Sequence, residues 1–173
     1  MQRLFPGENR AIVAYSFNGV AVTKEVERQR FSPAKTTCAW SVFDRSFASN
    51  FQDLWWNPEE PGWGINVAHQ GDTLFATLFT YAPDGRGAWY AMSNGARAGA
   101  SASFSGTLFR TSGPAFNAVP WTSATATPVG TMSFSFRDGN AGTLTYDVGG
   151  VKVTKPIQRQ VFASPATECF GED

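Results

Sequence analysis

The chain is 173 residues long and carries 14 basic and 14 acidic side chains, so its formal net charge is zero. Charged residues make up only 16% and form no basic run, which excludes a nucleic-acid partner and a polybasic membrane-surface partner from expectation. No run approaches the ~18 apolar residues of a helical membrane span. Long Ala/Leu/Glu/Lys stretches are missing while aromatics reach 14%, so β structure around one sizeable core is expected.

The first ten residues, Met1 to Arg10, hold no apolar h-region, so no signal peptide is expected in them. Ala11 to Phe31 reads as a β-hairpin turning at Asn18-Gly19, a pair suited to a type I′ turn. This hairpin recurs. Moving 131 positions along aligns Tyr15 with Tyr146, Gly19-Val20 with Gly150-Val151, and Val22-Thr23-Lys24 with Val153-Thr154-Lys155. The match continues through Arg28-Gln29 with Arg159-Gln160, Phe31 with Phe162, Thr36 with Thr167 and Cys38 with Cys169. Self-similarity at a fixed offset marks a repeat. Residues 1–38 are therefore expected to be the tail of one copy and 39–173 a complete copy, both drawn from a tandem parent. The apolar face of the spare hairpin (Val13, Tyr15, Phe17) needs cover, either from the complete copy or from a second chain in a homodimer.

Further along, Leu54-Trp55-Trp56 opens a segment with three indoles beside Asn57, Glu59, Glu60 and Asn66. Asp72 to Tyr81 is apolar on both faces, so its outer side is expected to be covered as well. Asp84-Gly85-Arg86-Gly87 turns the chain into Ala88-Trp89-Tyr90-Ala91-Met92. Phe104 to Arg110 is another strand, and residues 115–127, rich in Pro, Ala and Thr, read as a loop or irregular edge. Thr131 to Arg137 alternates apolar and polar residues with period 2. Thr143 to Val148 repeats the alternation, and Val151 to Phe162 is the last strand. Short strands with turns every 8 to 12 residues predict an all-β antiparallel meander, closed as an up-and-down barrel of about eight strands from Leu54 to Phe162, plus the extra N-terminal hairpin.

Cys38 and Cys169 hold equivalent positions just beyond the last strand of each copy. The ends of a closed barrel meet, so a disulfide between them is expected; closing so long a loop contributes about 4–5 kcal/mol in the chain-entropy description. It also fits an oxidising, secreted or cell-surface location.

Leu54-Trp55-Trp56-Asn57-Pro58-Glu59-Glu60-Pro61-Gly62-Trp63-Gly64-Ile65-Asn66, followed by His69-Gln70-Gly71-Asp72 and Phe75-Ala76-Thr77-Leu78-Phe79-Thr80-Tyr81, resembles a repeat domain of bacterial secreted proteins with an LWWNPxExGWGxN…HQGD…FATxFTY pattern. Pro61 stands where that pattern carries a small residue. The resemblance spans about Leu54 to Cys169 and implies secretion and repetition rather than a chemistry. More loosely, the chain is similar to calycin barrels (lipocalins and avidins), which pack an Arg of the last strand across a Trp of the first. Arg159 shares the apolar face of Val151, Val153, Ile157 and Val161, and an indole of Trp55 or Trp56 would take up both its stem and its charge.

Candidate chemistry is sparse. His69 is the only histidine, so no zinc set is expected, no cofactor is called for, and no Gly-x-Ser-x-Gly elbow exists. Asp138-Gly139-Asn140 lacks the further ligands of a calcium loop. A hydrolase reading remains, with His69 as base or Glu59/Glu60 as carboxylates. The preferred reading is a non-enzymatic binding module for a small or carbohydrate-like ligand, using Trp55, Trp56, Asn57, Glu59, Trp63, Asn66, His69, Trp89 and Arg159. A purely structural or adhesion repeat of a larger surface protein is its rival; there the indoles fill the core.

Overall fold

The computed structural model describes residues 2–7 and 9–171, with side chains from Asn9 to Gly171. Eight antiparallel strands close a barrel: β5 (Asp53–Trp56), β6 (Gly64–Gln70), β7 (Thr73–Tyr81), β8 (Gly87–Arg97), β9 (Ser103–Ser112), β10 (Thr125–Phe136), β11 (Ala141–Val148) and β12 (Val151–Arg159). Each pairs with the next in sequence, and β12 returns to β5. The closing seam is short, with only Gln158↔Trp56 and Arg159↔Trp55 in register.

Alternation explains the wall. Ile65, Val67 and His69 of β6, Leu74, Ala76 and Leu78 of β7, and Met132, Phe134 and Phe136 of β10 all point inward and are buried. They meet Trp55, Tyr90, Met92, Phe104, Leu108, Leu144 and Ile157 in one apolar cluster. Phe51, just before β5, stacks on Phe136 with centroids 3.9 Å apart. Met92 lies so close to Gly95 and Gly106 that a side chain at either glycine would collide with it. Protein side chains thus occupy the lumen. Each large apolar side chain fully enclosed there contributes about 1.5–3 kcal/mol.

The irregular stretch expected at 115–127 is shorter than the sequence suggested. β10 begins at Thr125, opposite Ser112, and Pro128 sits at a register shift between Pro128 and Gly130. Proline's missing N–H is tolerated at such a bulge, so it does not end the strand.

The chain before β5 forms β1 (Gln2–Gly7), β2 (Arg10–Phe17), β3 (Val20–Glu27) and β4 (Thr36–Ser41); β13 (Ala166–Gly171) follows the barrel. β1-β2-β3 is an antiparallel three-stranded sheet, so the expected hairpin gains a strand. Adding 131 to these numbers carries β1 onto the end of β10, β2 onto β11, β3 onto β12 and β4 onto β13. Even the turns agree: Asn18 and Gly19 both have positive φ (48° and 80°), as do Gly149 and Gly150 (60° and 86°), the signature of type I′.

Two compact units result. One holds the chain up to Phe31 together with Gly113–Ala124; the other holds Ser32–Ser112 and the chain from Thr125 onward. Within the first unit Phe116 meets Tyr15 and Phe17 at 6.2 and 5.6 Å, and Lys24 lies 4.2 Å from the Trp121 ring centre. Phe116 thereby covers part of the apolar hairpin face. In the second unit β4 pairs with β13, and Cys38 and Cys169 are joined as a disulfide. The boundary expected after residue 38 falls inside β4.

Leu78 is fully enclosed at 0% exposure. Leu78→Ala is expected to lower the unfolding free energy by about 2–5 kcal/mol in urea titration, because the filled lumen cannot collapse around the void.

Candidate functional site

The sequence candidates separate into three places. The first is the end of the barrel where β12 meets β5. Arg159 is 5% exposed and uses nearly every donor: Nε to Gly139 O (2.7 Å), Nη1 to Gln52 O (3.0 Å) and Asp53 Oδ2 (3.2 Å), and Nη2 to Asn50 O (3.1 Å). Its guanidinium carbon lies 4.9 Å from the Trp55 ring centre, so Trp55, not Trp56, is the stacking partner. Burial draws the Arg159 pKa below its ordinary value, and Asp53 opposes that shift. Arg45 also donates to Asp53 Oδ2 (2.9 Å) and to Thr167 O (3.0 Å). The Trp55 indole N–H donates to Phe51 O at 2.9 Å.

His69 belongs to the same closed end and is 2% exposed. The Phe51 N–H donates to Nδ1 at 3.0 Å, and Nε2 lies 2.7 Å from Gly71 O. An amide N–H can only donate and a carbonyl can only accept, so the ring is neutral with its proton on Nε2. Burial lowers its pKa to about 4. Both ring nitrogens are committed, which leaves no lone pair to act as a base. Trp55, Asn57, His69 and Arg159 are all buried, and a ligand at the surface does not reach them.

The second place is the loop between β5 and β6, over the opposite end. Asn57 Oδ1 accepts from the Glu59 N–H at 3.1 Å and holds the turn. Glu60 pairs with Lys155, an interior-facing residue of β12, and accepts from the Trp63 indole N–H at 3.0 Å. Lys155 lies 5.2 Å from the Trp63 ring centre, and Trp63 packs against the core. Lys155 holds the Glu60 carboxyl below its usual range, whereas a glycosidase acid needs a raised one. Glu59 is exposed beside it. Among the described residues no three His, Cys, Asp or Glu side chains cluster to hold a metal.

The third place is the outer wall. Trp55, Ile65, Leu78 and Tyr90 point inward, so their neighbours Trp56, Gly64, Phe79 and Trp89 point outward. The ladders place these four side by side: Trp55↔Ile65 sets Trp56 beside Gly64, and Gly64↔Phe79 and Phe79↔Trp89 continue the row. A Cβ on Gly64 would meet only Trp55 O, at 3.4 Å, so the space above it is open. Trp56 and Phe79 thus stand on either side of Gly64, on strands whose backbones are about 10 Å apart. Phe79 is 53% exposed, Trp89 48% and Tyr81 59%. The adjoining row holds Leu54↔Asn66, then Asn66↔Thr77 and Thr77↔Ala91. Asn66 and Gln158 are exposed and supply amides along the margins.

The sequence reading named Trp56, Asn66 and Trp89 of this shelf but missed Phe79 and Tyr81, expecting the outer side of Asp72–Tyr81 to be covered. That expectation is corrected at Phe79 and Tyr81, which both stand exposed. The available signal was Gly64 in register with Phe79, which only the ladder reveals.

The chain matches no family model, no curated protein and no solved structure.

Two outcomes follow from the closed end. Arg159→Ala strands three carbonyls and leaves Asp53 with Arg45 as its one cationic partner, and is expected to cost about 3 kcal/mol in chemical denaturation. His69 binds its proton more weakly folded (about 4) than unfolded (6.5), so the unfolded state holds more protons between those values. Stability is therefore full above pH 6.5 and falls as pH drops toward 4, by about 3 kcal/mol from this group alone. His69→Gln should remove that part of the slope in denaturation curves taken across the window.

Proposed function

We propose that this chain is a non-enzymatic, extracytoplasmic binding module whose outer aromatic shelf stacks against a carbohydrate-like ring. The observation that carries the reading is the open space above Gly64 between Trp56 and Phe79, continued by the exposed Trp89. An aromatic face meets the apolar face of a sugar ring, and amides such as Asn66 and Gln158 meet its hydroxyls. A filled lumen favours an outer site over an enclosed calycin-type pocket. The Cys38–Cys169 disulfide favours an oxidising compartment, and no helix among the described residues is long and apolar enough to cross a membrane. Tandem copies suit this role, since weak shelves joined in one chain gain avidity on a polymer.

A structural or adhesion repeat is the second reading, favoured by the packed lumen and the covalent tie between repeat ends. The two differ in what the shelf does. Insoluble cellulose, chitin and peptidoglycan are the probes, with retained protein measured by depletion and confirmed by tryptophan fluorescence. Phe79→Ala and Trp89→Ala are each expected to weaken retention about tenfold, the loss of one stacking contact. Gly64→Leu fills the gap and should abolish retention with little change in unfolding midpoint. Retention on none of the three, or retention untouched by all three substitutions, would sink the binding reading and leave the structural one.

A further inference from the structure

The sheet β1-β2-β3 repeats the register of β10-β11-β12 at the 131-residue offset. The β2–β3 pairs, from Arg10↔Glu27 to Phe17↔Val20, become the β11–β12 pairs from Ala141↔Gln158 to Val148↔Val151. Gln2↔Ala14, Arg3↔Val13 and Leu4↔Ile12 become Ser133↔Thr145, Phe134↔Leu144 and Ser135↔Thr143. Even the bond from the Arg28 N–H to Asn9 O (2.8 Å) has its counterpart from the Arg159 N–H to Asn140 O (2.9 Å). The sheet is thus three strands of this barrel wall without β5 to β9. Its two edges, β1 and β3, are the strands that β9 and β5 would adjoin.

Identity between β3 and β12 is concentrated on one face. With inward parity, Val20, Val22, Lys24 and Arg28 recur as Val151, Val153, Lys155 and Arg159, and Val26 becomes Ile157. With outward parity only Thr23 recurs, as Thr154, while Ala21, Glu25 and Glu27 become Lys152, Pro156 and Gln158. In the barrel, Lys155 meets Glu60 and Trp63, and Arg159 meets Asn50, Gln52, Asp53 and Trp55. All six come from one stretch, residues 50–63, which enters and leaves β5. The sheet keeps the residues that recognise this stretch but stands open. Val26 is 41% exposed where Ile157 is 3%, and Arg28 is exposed where Arg159 is buried. Lys24 lies 4.2 Å from the Trp121 ring centre, much as Lys155 lies beside Trp63. Trp121 and Phe116 cover this face only in part, since Phe17 remains 59% exposed.

We propose that β1-β2-β3 is an acceptor surface for strands β5 to β9 of another copy of this domain. The β5 of that copy runs along the edge of β3, with its Trp55 on Arg28 and its Glu60 and Trp63 on Lys24. Its β9 closes on β1, so both free edges are paired and the inner face becomes a barrel core. Phe116 and Trp121 are stand-ins for those strands and leave the face when they dock.

The test supplies the partner strands by placing a second copy of residues 39–131 ahead of the full chain, so that Met1 falls at the position of Met132. Hydrogen exchange is followed by mass spectrometry in residues 20–28 and in their counterparts 151–159, whose protection in the same molecule reports that the barrel has folded. In the chain alone, residues 20–28 are expected to exchange about a hundredfold faster than 151–159; in the extended chain the two come within about tenfold. Two variants separate docking from mere stiffening. Arg28→Ala is expected to speed exchange of residues 20–28 about tenfold in the extended chain and to leave the chain alone unchanged. Phe116→Ala with Trp121→Ala is expected to speed exchange of residues 10–17 severalfold in the chain alone and not in the extended chain, where the stand-ins have been displaced. Residues 20–28 still a hundredfold faster in the extended chain would overturn the proposal. So would an Arg28→Ala effect, or a Phe116→Ala with Trp121→Ala effect, of the same size in both chains.

Discussion

A guanidinium placed where water cannot reach it must have its donors met by the protein, and Arg159 imposes that condition on the whole barrel. It stands on the last strand at a seam only two residue pairs long. Its partners arrive from two separate stretches of chain: Asn50, Gln52, Asp53 and the Trp55 ring before and within β5, and Gly139 in the β10–β11 turn. A short ladder alone would close the barrel weakly, since each backbone bond nets only about 1 kcal/mol. A charge that is costly to leave unpaired closes it far more decisively. The same network fixes Asp53, which holds Arg45, which holds Thr167 and thereby β13. One buried network thus runs from the seam to β13, the strand that carries Cys169.

Closing that end with protein groups has a consequence for recognition. Inward positions are taken by Leu, Met, Phe and Trp side chains, and the opposite end is stoppered by Trp63 with its Glu60–Lys155 pair. Strand parity sends every other side chain to the outside, and there the aromatic residues are not spread evenly. Trp56, Phe79 and Trp89 fall on one row because three ladders bring them into register, and Gly64 opens space within it. Exposed aromatic surface costs solubility and is sparing on most protein walls. Its concentration beside a glycine is what makes this wall the candidate site.

The fold was legible because period-2 alternation and turn residues are local signals. Thr131–Arg137 and Thr143–Val148 show the alternation plainly, and Gly149-Gly150 shows the turn. Arg159 was legible for a related reason: a charge on an otherwise apolar face demands a partner whatever the topology. Cys38 and Cys169 could be paired because the repeat made them equivalent. The site was harder. Asn57 and His69 looked like ligand groups in one dimension, yet each is consumed by backbone hydrogen bonds at a turn or strand end. Phe79 and Tyr81 looked like core, since apolar residues on both faces of a strand normally mean cover on both sides. Nothing in a single segment tells whether its outer face is covered; that is a property of what else the chain places there. Likewise, residues 115–127 read as a loop or irregular edge in full because the bulge at Pro128, which lets β10 start at Thr125, depends on β9 across the ladder.

The β4–β13 pair and the exposed Phe79, Tyr81 and Trp89 belong to opposite ends of the barrel wall, as strand direction shows. β7 leaves the Arg159 end at Thr73, which follows His69–Gly71, and climbs to Tyr81. Phe79 and Tyr81 are therefore at the far end of the wall, with Trp89 beside Phe79 on the returning strand. β4 and β13 are tied to the near end, through the Thr36 hydroxyl donating to His69 O at 2.6 Å and through Arg45 on Thr167 O. Between the His69 and Gly64 levels β6 rises about 17 Å, five residues at strand pitch. The row is not confined to that far end: Trp56 pairs with Gln158, one residue from Arg159, so the row starts at the seam and climbs across the tilted strands to Trp89.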